Sequence, residues 1–82
     1  MIVVRFFAGL RETLGVDSVA LDAASIGCVA DVLASLSERG EAWDEALSAA
    51  NLLVAVNHTH AQADSPLQDG DEVAIFPPVT GG

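Results

Sequence analysis

The run Asp69-Gly70-Asp71-Glu72-Val73-Ala74-Ile75-Phe76-Pro77-Pro78-Val79-Thr80-Gly81-Gly82 contains a turn, a strand and a strand stop in that order. Asp69-Gly70 is a turn signal. Asp71 to Phe76 alternates, with Val73 and Ile75 on one face and Ala74 and Phe76 on the other. Two prolines then end sheet pairing, because proline fixes φ and has no N–H to donate. Beyond them the chain favours an extended path and finishes on two glycines, which have no Cβ and fit a narrow channel. From Pro77 to Gly82 an extended chain reaches up to ~20 Å. The expectation is a folded domain over 1–76 and an extended tail over 77–82 that offers its terminal carboxylate to another protein's active site.

Upstream of this stretch the periodicity alternates between 2 and 3.6. Ile2 to Ala8 reads as a first strand, with Ile2, Val4 and Phe6 on one face and Val3, Arg5 and Phe7 on the other. A short helical turn over Gly9 to Gly15 leads to a second strand, Asp17 to Leu21, predicted to pair antiparallel with the first. A helix begins at Ser25 or Gly27. Its Val29, Val32, Leu33 and Leu36 form one apolar stripe, and it ends near Arg39-Gly40. Trp43, Ala46, Leu47 and Ala50 repeat the spacing in a shorter helix. Leu52 to Asn57 is a third strand and Thr59 to Ala63 a short fourth. The order ββ, helix, helix, βββ predicts an α+β domain, a mixed sheet with the striped helix across one face. The expected core is Val4, Phe6, Val29, Val32, Leu33, Leu36, Val54, Val56, Val73 and Ile75.

At 82 residues the core is small, since such a chain buries only about two-thirds of its unfolded surface. The apolar runs are too short to span a bilayer, and the first residues alternate like a strand rather than a signal sequence. A cytoplasmic protein without membrane contact is expected. Twelve acids face three arginines and no lysine, a net charge of −9. That balance argues against nucleic acid as a partner, which needs a basic footprint. It serves solubility, or it steers the chain towards partners with basic docking surfaces. The chain also has no lysine amine of its own to accept an acyl group.

The residues that bear chemistry are few. Cys28, the single thiol, excludes an intrachain disulfide. It reads either as a thiolate at a helix N-terminus or as a small buried hydrophobe. His58 and His60 form His-x-His, which alternation places on one side of a strand. A metal site needs further ligands that nothing in the sequence selects, so no metal is expected and exposed loop histidines are the simpler reading. No phosphate loop, nucleophile elbow or supported acid–base pair is present. Phe7 and Phe76 share the outward parity of their strands. If those strands are neighbours, the two aromatics form a docking patch near the tail; the alternative is a second small core under a loop.

The whole chain resembles the small subunit of molybdopterin synthase, a family of ubiquitin-like sulfur carriers. The resemblance lies in Val4-Arg5-Phe6-Phe7-Ala8 followed by Arg11-Glu12, in Leu53-Val54-Ala55-Val56-Asn57, in Asp69-Gly70-Asp71-Glu72-Val73, and most specifically in Phe76-Pro77-Pro78-Val79-Thr80-Gly81-Gly82. It implies a β-grasp fold. It implies that the Gly82 carboxylate is adenylated by a ubiquitin-activating-type adenylyltransferase that uses ATP, receives sulfur from a donor protein, and becomes a thiocarboxylate. It further implies that Pro77, Pro78, Val79, Thr80 and Gly81 thread a channel in the large subunit of a heterotetramer. Sulfur then passes to cyclic pyranopterin monophosphate to build the dithiolene. No cofactor is bound by the chain, and the catalytic side chains belong to the large subunit. Phe7, Phe76 and His60 fall on the docking surface, where His60 departs from the aliphatic residue common in the family. Two related readings use the same terminus: a thiamine-pathway sulfur carrier, whose chains are shorter and lack the Phe-Pro-Pro-Val-Thr lead-in, and a ubiquitin-like modifier conjugated through Gly82.

Overall fold

The computed structural model describes residues 1–48 and 52–77. Five strands, β1 (Ile2–Phe6), β2 (Ser18–Leu21), β3 (Leu53–Val56), β4 (Thr59–Ala61) and β5 (Glu72–Phe76), form one sheet in the order β2-β1-β5-β3-β4. β1 and β2 pair antiparallel, with Val4 opposite Val19. β5 runs parallel to β1, with Val4 opposite Val73, and antiparallel to β3, with Val54 opposite Ile75. The first and last strands of the domain are therefore neighbours at the centre of a mixed sheet. A parallel pair cannot be closed by a hairpin and needs a long crossover; here the rest of the domain is that crossover.

Three helices, α1 (Gly9–Leu14), α2 (Val29–Ser37) and α3 (Glu41–Leu47), and a single 3-10 turn over Ala23–Ser25 supply it. Gly15 ends α1 in the left-handed region at φ 75° and donates its N–H to the Arg11 carbonyl at 2.9 Å, a conformation glycine adopts without a Cβ clash. α2 starts at Val29, later than the predicted Ser25 or Gly27. Asp31 explains the shift: its Oδ2 accepts the backbone N–H of Gly27 at 2.8 Å and of Cys28 at 3.2 Å, which fixes Cys28 in extended backbone as the cap.

The alternation of β1 fixes which face is packed. Ile2, Val4 and Phe6 are buried while Val3, Arg5 and Phe7 are exposed. The inner face meets Val29, Val32 and Leu36 of α2, each at most 1% exposed. Full burial of one such side chain contributes roughly 1.5–3 kcal/mol. Leu33 and Val56, predicted as core, are only partly buried against it. Ile2, Leu10, Leu21, Ile26, Leu47 and Leu67 complete it; the last two close the domain from α3 and from the loop before β5. Trp43 meets Phe6 edge-on, with ring centroids 5.6 Å apart, and the Arg39 guanidinium lies 5.3 Å from its ring. This is the ubiquitin-like β-grasp arrangement.

Candidate functional site

The helices cover one face of the sheet and leave the other open. On the open face the register places Phe76 beside Leu53 of β3, and Phe7 continues β1 on the other side of Phe76. The Phe7 N–H donates to the Ile75 carbonyl at 3.3 Å, which carries the pairing one residue past the end of β1. The two rings stack with centroids 4.7 Å apart and planes 13° from parallel. Phe7 is 37% exposed and Leu53 41% exposed, so among the described residues no loop covers them as a second small core would require. Three large apolar side chains thus form a row at the end of the sheet from which β5 runs into Pro77. An exposed row of this kind marks a contact surface.

The next row across the face is Arg5, Ala74, Ala55 and His60, each opposite its neighbour in register. His60, predicted to lie on the docking surface, stands at the β4 end of this row and is exposed. Below it lies Glu72, which accepts from Arg5 Nε at 3.0 Å and lies 4.0 Å from His58 Nε2. These exposed pairs contribute little to stability.

His58 does not share a strand face with His60. Asn57 and His58, at φ 50° and 70°, form the two-residue turn between β3 and β4, so the alternation expected across His-x-His is broken there. Among the described residues no group of three metal-ligating side chains converges. The turn is held to β5 by the Asn57 side chain, whose Nδ2 donates to Asp71 Oδ1 at 2.9 Å and whose Oδ1 accepts the Glu72 N–H at 3.0 Å. Asp71 also accepts the Gln68 N–H at 2.8 Å. The Gln68 N–H first, and the Asn57 amide second, hold its carboxyl below the usual carboxylate range.

Cys28 is half-buried. The first N–H groups of α2 do not face an open thiol site: Val29 N donates to the Ser65 carbonyl at 3.1 Å and Ala30 N to the Ala63 carbonyl at 2.8 Å. The loop after β4 thus caps the helix, and Cys28 reads as part of that packing. Two hollows flank α1. One of about 530 Å³ is lined by Arg11, Glu12, Val16 and Ser18 among others. The other, of about 190 Å³, lies between Arg5, Phe7, Arg11 and Ser18. No histidine or cysteine lines either. What the described residues gather on the open face is an exposed apolar row beside the end of β5. Pro77, the first tail residue, directly follows β5 and is partly buried. The remaining predicted site residues, Pro78, Val79, Thr80, Gly81 and Gly82, lie outside the described residues. Leu53 was missed as a member of the exposed row; its parity opposite Val54 was the available signal.

The ThiS family model matches residues 4–82. The chain is 49% identical over 84 aligned residues to the molybdopterin synthase sulfur carrier subunit of Escherichia coli (strain K12), with 100% of each chain covered. Its fold is similar to that of small archaeal modifier protein 1 from Methanosarcina acetivorans, with a TM-score of 0.80, 28% identity, and 99% and 95% of the two chains covered. It is also similar to a chain in the complex of subunits 1 and 2 of molybdopterin-converting factor from Helicobacter pylori 26695, with a TM-score of 0.67, 27% identity, and 99% and 97% covered. The chain belongs to the ThiS family and, within it, to the molybdopterin synthase sulfur carrier subunits.

Proposed function

We propose that the chain carries sulfur as a thiocarboxylate on Gly82 and delivers it inside the large subunit of molybdopterin synthase. A carboxylate is a poor electrophile. A carboxylate oxygen of Gly82 therefore first attacks the α-phosphate of ATP on a ubiquitin-activating-type adenylyltransferase, releasing pyrophosphate. The persulfide of a sulfur donor protein then displaces AMP, and a thiol cleaves the S–S bond of the resulting acyl disulfide, forming a disulfide with the donor and leaving a thiocarboxylate. The sulfur, now a soft nucleophile, is transferred to cyclic pyranopterin monophosphate. Water then hydrolyses the thioester that joins the chain to the pterin, so the sulfur stays on the pterin and the chain returns as the carboxylate; repeated transfer builds the dithiolene. The chain itself supplies no acid, base or metal to these steps; it supplies a reacting atom and the surface that aims it.

The single observation that carries the reading is the position of the Phe7–Phe76 stack on the open face, beside the point where β5 runs into Pro77. A fully extended chain from Pro77 to Gly82 could reach up to ~20 Å, far enough to enter a partner held on that row. The Helicobacter pylori complex of two such subunits supports a large-subunit partner, and the reading places the assembled heterotetramer in the cytoplasm. Among the described residues no helix is long and apolar enough to cross a membrane.

Intact-mass measurement of the chain from its native host tests the reading, with the gain of one sulfur for one oxygen at the terminus as the expected result. A second reading, a modifier joined to target lysines through Gly82, is favoured only by the likeness to small archaeal modifier protein 1. It predicts isopeptide-linked targets in the same measurement. A chain extended beyond Gly82, shown by mass to be uncleaved, should form no dithiolene with the large subunit, and normal product from it would sink the terminal-carrier mechanism.

A further inference from the structure

The acids of this chain are unevenly placed. Of the twelve, only Glu72 lies within a strand, and it is bound to Arg5. The rest lie on helices, turns and connecting loops. The open sheet face is thus a neutral-to-basic area on a domain of net charge −9. Next to the apolar row, Arg5 and His60 stand at the two ends of a floor made by Ala74 and Ala55. Adjacent strands are about 4.8 Å apart, so the two basic residues are separated by about 14 Å at the backbone. The Arg5 side chain is 54% exposed and directs Nε to Glu72, and a guanidinium has further N–H donors to offer.

Resting on the reading that this face docks, we infer that the partner presents a carboxylate to each end of the Arg5–Ala74–Ala55–His60 row, around an apolar projection seated on the alanines. Covering Arg5 and His60 with purely apolar surface would strip water from a guanidinium and an imidazole without replacing its hydrogen bonds. The two alanines leave room for partner side chains between them. Apart from His60, the charged or titratable groups near this row are Arg5 on β1, Glu72 on β5 and His58 at the turn, with Arg11 and Asp17 beside Arg5 at the hollow they share, so basic side chains outnumber acids there. The overall acidity of the domain, which by itself suggests a basic partner, is a property of its other surfaces.

The test is titration calorimetry of the full chain with the large synthase subunit of the same organism, at low and high salt. His60→Gln keeps a side-chain N–H donor and should retain most of the affinity. His60→Leu should weaken docking about tenfold and His60→Glu more, while Arg5→Gln should weaken it and reduce its salt dependence. Thermal unfolding checks that each variant folds. A partner with an apolar surface opposite His60 would bind His60→Leu as well as or better than the wild type, and that result overturns the inference while leaving the docking reading intact. No binding of the wild-type chain at any condition would overturn both.

Discussion

Asn57 and His58 show how much a single turn decides. Both have positive φ, as a two-residue hairpin of this hand requires, and the second such position favours glycine. His58→Gly should therefore stabilise the domain by about 1 kcal/mol, read as a shift in the urea unfolding midpoint. Asp71 sets a different dependence. Its pKa is lowered by the Gln68 N–H and the Asn57 amide, so its contribution is present above the unfolded carboxylate value of 3.8. That contribution is lost as pH falls through the lower folded value. Asp71→Asn should flatten the acid limb of a stability-against-pH curve without changing its neutral plateau's slope. Neither role was legible in the sequence. Asn57-His58 reads as the end of an alternating run, and Asp71 as one acid of three around a turn; the side-chain bonds of Asn57 to Asp71 and Glu72 join segments distant in sequence.

Among the elements, α2 was legible from the spacing of Val29, Val32, Leu33 and Leu36, but its start was not. The cap depends on Asp31 reaching back to the N–H groups of Gly27 and Cys28, and on carbonyls from the loop after β4. Asp31→Ala should cost about 1 kcal/mol, measured by thermal unfolding. The parity of β1 and β5 did disclose that Phe7 and Phe76 face away from the core. Their stacking required the two strands to be neighbours, with Phe7 carried one residue beyond β1. Phe76→Ala should remove the stack at a cost of about 1 kcal/mol in stability and weaken docking by ~1–3 kcal/mol in titration calorimetry. Unchanged docking with a folded variant would remove the aromatic row from the interface.

For the molecule as a whole, one small core ties the helices to the sheet, so a single large deletion is felt everywhere. Leu36, fully buried between α2 and the sheet, should cost ~2–5 kcal/mol when replaced by alanine, seen as loss of a cooperative thermal transition near its wild-type midpoint. Gly81→Ala acts on the other part of the molecule. It should slow sulfur transfer by up to ~100-fold, since a displacement of about 1 Å at a reacting atom has that effect, while Phe7 and Phe76 preserve docking. The sequence by itself determined the α+β class, the inward faces of β1, α2 and β5, and the proline-ended strand leading to two glycines, because periodicity and backbone chemistry are local. Only the tertiary structure decided that β5 lies between β1 and β3, that Phe7 stacks on Phe76, and that Arg5 and His60 end one row of an acid-poor face. Strand order and register are set by burial of the whole core at once, and no local pattern carries that information.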